Sequence, residues 1–233
     1  MLQIIPVIDI RGGKVVHARG GKREAYSPLE SLLTTATQPI EVVADLLAWL
    51  PFPRIYMADL DAIEQGQQRP GLYHKLSERF PMVEFWLDSG IAQPEELQVY
   101  QTIPNLRSVI GSESLKDLEL FRRKSLQQDL VLSLDRRDGK LLGNTALLQQ
   151  PHLWPDKVIV MSLDHVGANQ GPALDWLQEL QACREDIDWY MAGGVRDQTD
   201  LQILEQNKVS GALIASALHT GALNRKQVAC RLE

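Results

Sequence analysis

The sequence predicts an α/β fold, a single (βα)8 TIM barrel built from two repeated half-barrels, with residues 1–233 as one domain. Three observations predict it. Short apolar, β-branched runs alternate with amphipathic stretches, as repeated βα units require. Eight such runs occur, the number that closes this kind of barrel. The second half of the chain also repeats the first.

In chain order the strands are QIIPVIDI from Gln3, RIYMAD from Arg54, VEFWLD from Val83, RSVIG from Arg107, DLVLSLD from Asp129, KVIVMS from Lys157, IDWYMAG from Ile187 and GALIAS from Gly211. Most are apolar throughout, which suits strands buried on both faces. Helices are predicted between them at PIEVVADLLAWL, GLYHKLSERF, PEELQVYQ, LKDLELFRR, ALDWLQELQACR, TDLQILEQ and the terminal LNRKQVACRL. The slot after the fifth strand holds only ALLQQPHLW, too short for a full crossover helix. Residues 11–38 exceed normal loop length and read as a mobile lid.

The repeat is the more decisive signal. Residues 83–112 align without a gap onto 187–216, with Gly90/Gly194, Leu97/Leu201 and Gln98/Gln202 identical. At nearby offsets IYMADLD lies over VIVMSLD, and DIRGGKVV from Asp9 lies over DRRDGKLL from Asp135. Two half-barrels of four strands close into one barrel without an exposed edge.

Composition narrows the function. Hydrophobic residues at 44% give an ordinary core, and a net charge of -6 excludes the basic field that nucleic acid or an anionic membrane needs. No apolar run reaches membrane-spanning length, and the N-terminus lacks the basic leader of a signal peptide. The expected compartment is therefore the cytoplasm. Cys183 and Cys230 lie far apart without a CxxC pattern and are expected to be free thiols. The histidines and acids lack ligand spacing, so neither a metal nor another cofactor is expected. A small phosphorylated molecule remains the expected partner, because backbone amides hold phosphate without net positive charge.

In such barrels function sits where the strands end. Asp9 and Asp135 each stand where an apolar strand meets a Gly-containing turn, on strands one and five. Those strands are diametrically opposite, with backbones facing across roughly 15 Å. Two inward carboxylates then leave room for a sugar ring, with a proton added on one side and removed on the other. A lone aspartate there is equally a turn cap, but the symmetric pair favours catalysis. The glycines mark phosphate sites. Gly193, Gly194 and Ser216 place free amides after strands seven and eight, the usual cradle. The symmetry-related site would use Gly90, Gly111 and Ser112, but Asp88 and Ser89 interrupt its glycine run and weaken it. Candidate substrate contacts are Gly21, Asp61, Asp164, His165 and Arg196.

The segments IIPVIDIRGGKVVHARGG, ADLDAI, VIGSESL, LSLDRRDGKLL, QGP and AGGVRDQTDLQIL resemble the HisA/HisF family, the phosphoribosylformimino-AICAR-phosphate isomerase and imidazole-glycerol-phosphate synthase barrels of histidine biosynthesis. The resemblance covers nearly the whole chain. It implies an Amadori rearrangement in which Asp135, as acid, opens an aminoaldose ring and Asp9, as base, moves a proton from carbon 2. It also implies phosphate binding by Gly193, Gly194 and the amide around Ser216.

Departures point away from the histidine-pathway substrate. The family's Gly-Gly-Gly-Ile-Arg after strand three is here Asp88, Ser89, Gly90, Ile91 and Ala92. Its Thr-Asp-Ile-x-x-Asp-Gly after strand six is Met161, Ser162, Leu163, Asp164, His165, Val166 and Gly167, and its Gly-Trp after strand five is Gly143-Asn144. The pattern is closer to the divergent HisA/HisF-related group of methanogens and methylotrophs. An isomerase of a phosphorylated amino sugar or ribotide is the leading expectation. The alternatives are a HisF-like cyclase or lyase, a pterin or furan C1-cofactor enzyme, and a non-catalytic phosphate-binding barrel. A glutaminase partner is not expected.

Overall fold

The computed structural model describes residues 1–18, 23–123, 129–166, 168 and 170–232. Among them eight parallel strands close into a ring: β1 (Gln3–Arg11), β2 (Arg54–Asp59), β3 (Glu84–Asp88), β4 (Leu106–Gly111), β5 (Leu130–Arg137), β6 (Lys157–Ser162), β7 (Asp188–Ala192) and β8 (Gly211–Ile214). Each pairs with the next, and β8 returns to β1 with Gln3 opposite Gly211 and Pro6 opposite Ile214. All eight sequence strands are present at these positions.

Alternation along the strands divides the core in two. Ile5, Tyr56, Trp86, Val109, Val131, Ile159, Tyr190 and Leu213 form one buried cluster, one residue from each strand, that fills the barrel. The opposite parity, including Ile4, Ile8, Met57, Phe85 and Leu87, packs outward into the cluster shared with the helices. Trp86 and Tyr190 are partners in the sequence repeat. They meet edge to face, with ring centroids 4.7 Å apart, and Arg54 covers Trp86 from below at 4.6 Å. Residues at equivalent positions of the repeat thus meet inside the barrel.

The outer layer runs α1 (Pro39–Trp49), α2 (Leu60–Gln65), α3 (Pro70–Arg79), α4 (Glu119–Arg122), α5 (Ala146–Gln149), α6 (Leu174–Gln181), α7 (Gln198–Gln206), α8 (Ser216–His219) and α9 (Arg225–Ala229). Helix α2 was not expected. Asp59 caps it by accepting from the Ala62 amide, and Gly66, at φ 68°, ends it in the left-handed conformation. The segment expected as a helix from Pro94 is 3-10 over Pro94–Val99, where only Leu97 is buried. So small an apolar face gives a full α-helix little packing. The slot after β5 holds only α5 and a 3-10 turn, as its length predicts.

The long segment after β1 is more ordered than a simple lid. Lys14–His17 folds back antiparallel on β1, with Asp9 opposite Val16, and Ser27–Pro28 adds a further short strand. Residues 19–22, and with them the candidate Gly21, lie outside the described residues. Strand β5 carries the matching hairpin, with Arg136 opposite Leu141.

Candidate active site

Inward parity continues past the apolar plug to the ends of the strands. Two residues beyond Val7 comes Asp9, two beyond Trp86 comes Asp88, and two beyond Ser133 comes Asp135. Three carboxylates from alternate strands thus enter a cavity of about 700 Å³ at the barrel mouth. Its wall also includes His17, Arg23, Tyr26 and Glu113 on the first-half side, and His165, Gly193, Gly194, Arg196 and Ser216 on the second-half side.

Burial dominates the electrostatics of the acids, because a carboxylate ringed by protein loses the water that stabilises its charge. Asp135 and Asp88 are each only 6% exposed. Burial, with the negative charges of Glu113 and Asp88 adding to it, pushes Asp135 up to about 8. Burial likewise pushes Asp9 up to about 7, opposed by Arg23 and reinforced by Asp88. Asp88 rises to about 6 from burial, restrained by the Gly90 amide and by Arg23. The Tyr56 hydroxyl donates to Asp88 at 3.4 Å. Arg23 is the cation nearest these acids; it is tied to Glu113 and lies 3.8 Å from Glu64.

Asp135 is held from both sides. The Ser133 hydroxyl donates to its Oδ1 at 2.7 Å, and the Ser112 hydroxyl accepts from its backbone amide at 3.0 Å. Gly111 leaves the space beside it open: a Cβ there would lie 3.3 Å from Asp135 Oδ2 and 3.4 Å from Asp88 Oδ2.

The two expected phosphate cradles differ. In the first half, the Gly90 amide donates to Asp88 at 3.1 Å and the Ser112 amide to the Ser133 carbonyl at 2.8 Å. Ser112 is fully buried, so it supports Asp135 and is not placed to meet a ligand. In the second half, Gly193 and Gly194 both adopt positive φ, and among the described residues their amides make no hydrogen bond. A Cβ on Gly194 would fall 2.1 Å from the Gly171 carbonyl, so that loop passes where only glycine fits. Ser216 opens α8, where first-turn amides lack helical partners, and its hydroxyl lies 3.1 Å from His17 Nε2.

The remaining candidates divide. His165 lines the cavity, its Nδ1 2.6 Å from the Gly171 carbonyl. Arg196 also lines it, but Asp200 holds its guanidinium at 2.7 and 2.8 Å. Asp61 and Asp164 are not among the residues that line it. Asp61 accepts from the Gly12 amide at 2.7 Å, and Asp164 from the Asp138 amide at 2.8 Å. Each clamps the hairpin turn of its own half. Sequence reasoning missed His17, Arg23, Tyr56, Asp88 and Glu113. Asp88 could have been found, since it shares the parity of Trp86; His17 and Arg23 lie in a segment without periodicity.

The model of the family described as "Histidine biosynthesis protein" matches residues 3–224. The chain belongs to that family. Among family relatives, an uncharacterized protein of Methanocaldococcus jannaschii is 29% identical over 231 residues, 97% of each chain. The 1-(5-phosphoribosyl)-5-((5-phosphoribosylamino)methylideneamino) imidazole-4-carboxamide isomerase of Helicobacter hepaticus is 23% identical over 244 residues, covering 100% of this chain and 97% of its own. The protein of the same name from Methanosphaerula palustris is 26% identical, covering 97% of this chain and 98% of its own. Family membership makes the mouth acids the natural place to look for chemistry.

Proposed function

We propose that this histidine-biosynthesis-family barrel is an isomerase that rearranges a phosphorylated amino sugar or ribotide by Amadori-type acid–base chemistry. The observation that carries the reading is the pair Asp9 and Asp135, on opposed strands of one cavity, with proton affinities near neutrality. Asp135 keeps its proton at neutral pH and gives it to the ring oxygen as the bond from carbon 1 to that oxygen breaks. Asp9, the more acidic of the two, takes the proton from carbon 2. The resulting enaminol becomes the amino ketose when carbon 1 gains a proton. Substrate and product are isomers, so no oxidant or reductant is needed.

The phosphate is cradled by the amides of Gly193, Gly194 and Ser216, with Arg196 at its edge. What supports this is the pair of unbonded glycine amides in the cavity that the acids also line. The isomerase names of the Helicobacter hepaticus and Methanosphaerula palustris relatives support the reaction class. The test is incubation of the protein with phosphorylated aminoaldoses, with ketose formation followed by NMR and Asp9→Asn and Asp135→Asn as controls. Formation of ketose by the wild type alone is expected. Binding without any turnover across the series would make the barrel a phosphate-ligand binder instead.

A further inference from the structure

Resting on the isomerase reading, we infer that the substrate carries a single phosphate and an amine at the opposite end, and that Asp88 determines this choice. The two halves of the mouth began as repeats and now offer opposite chemistry. Around the ends of β7 and β8, the Gly193 and Gly194 amides are unbonded among the described residues and no carboxylate lines the wall. On the first half, the Gly90 amide, equivalent to that of Gly194, is closed by Asp88, and the Ser112 amide, equivalent to that of Ser216, by the Ser133 carbonyl. Asp88 occupies the repeat position of Ala192, so an acid stands where the second half has a methyl group.

A second phosphate at the ends of β3 and β4 would lie against Asp88 and Glu113. Arg23 offsets them only in part, since Glu113 already holds it. Like charges in an enclosed site repel with little screening. The same wall suits a cation. An ammonium there would donate to the carboxylates of Asp88 and Glu113. One cavity joins both walls, so one molecule reaches both. In an amino sugar bearing a terminal phosphate, the nitrogen lies toward the end of the carbon chain away from the phosphate. The reacting carbons then fall between Asp9 and Asp135.

Calorimetric titration of the whole protein tests this, at a pH where Asp88 is ionised. The probes are glucosamine 6-phosphate, glucose 6-phosphate, fructose 6-phosphate, fructose 1,6-bisphosphate and inorganic phosphate. Glucosamine 6-phosphate should bind roughly tenfold more tightly than glucose 6-phosphate. Fructose 1,6-bisphosphate should bind more weakly than fructose 6-phosphate. Asp88→Asn should remove most of the amine preference and relieve the penalty on the bisphosphate. Asp88→Ser serves the same purpose should circular dichroism show that the asparagine variant is unfolded. Equal binding of the two glucose derivatives overturns the inference, as does an unchanged preference in a folded Asp88 variant. Failure of all five probes to bind overturns the phosphate reading beneath it.

Discussion

Asp135 keeps its proton near neutral pH because burial denies its charge water and the neighbouring charges of Glu113 and Asp88 are negative. Asp9 has Arg23 to offset Asp88 and titrates lower, so the pair divides into acid and base. Asp9→Asn and Asp135→Asn should each lower turnover about 100- to 10,000-fold, and the double variant should be little worse than either. The kcat/KM profile should be a bell whose limbs belong to the coupled pair and fall near 7 and 8. Burial also costs stability. Asp88 binds its proton more tightly in the fold, about 6, than at its ordinary 3.8. Its contribution is therefore intact below 3.8 and lost as pH rises through about 6. Asp88→Asn should be more stable than wild type by about 2 kcal/mol above that range, with the gap closing in acid; urea melts at several pH values measure it. Asp9 and Asp135 were legible because each ends an apolar strand at a repeated turn. Asp88 was legible as the carboxylate that breaks a glycine run, but its inward parity, which puts it in the cavity, was not used.

Each active-site side chain borrows its position from a backbone device. The β7–α7 loop depends on Gly194, whose φ of 90° and 2.1 Å approach to the Gly171 carbonyl leave no room for a methyl group. Gly194→Ala should destabilise the protein by about 1–3 kcal/mol and weaken phosphate binding, read by thermal melts and calorimetry. At the end of β4, Ser112 fixes the backbone of Asp135. Ser112→Ala should lower kcat roughly tenfold with little change in KM, because a small displacement of the acid harms the transition state more than binding. Elements with strong periodicity, such as the strands and α7, were legible in the sequence. Helix α2 was not, because Asp61 drew attention as a site acid when it clamps a turn and the neighbouring Asp59 caps the helix. The 3-10 segment at Pro94 was also overcalled, since its pattern does not reveal how little of it would be buried.

The whole barrel was legible because its repeat is long and ungapped, and Trp86 meeting Tyr190 on the axis is that repeat made physical. What the repeat could not reveal is how far the halves have diverged at the mouth, since that depends on which amides are already bonded. Either half alone would present unpaired strand edges; residues 1–123 by themselves would leave β1 and β4 open. That fragment should dimerise or aggregate on size-exclusion chromatography and not elute as a monomer. The divergence has a stereochemical consequence. A mouth with twofold-equivalent walls would accept a substrate in either of two orientations, exposing either face of the reacting carbons to Asp9. With carboxylates on one wall and bare amides on the other, a molecule is admitted head first in one direction only. Turnover in deuterated water should then label a single prochiral hydrogen at carbon 1 of the product, whereas scrambled label would mean that the two walls are not told apart.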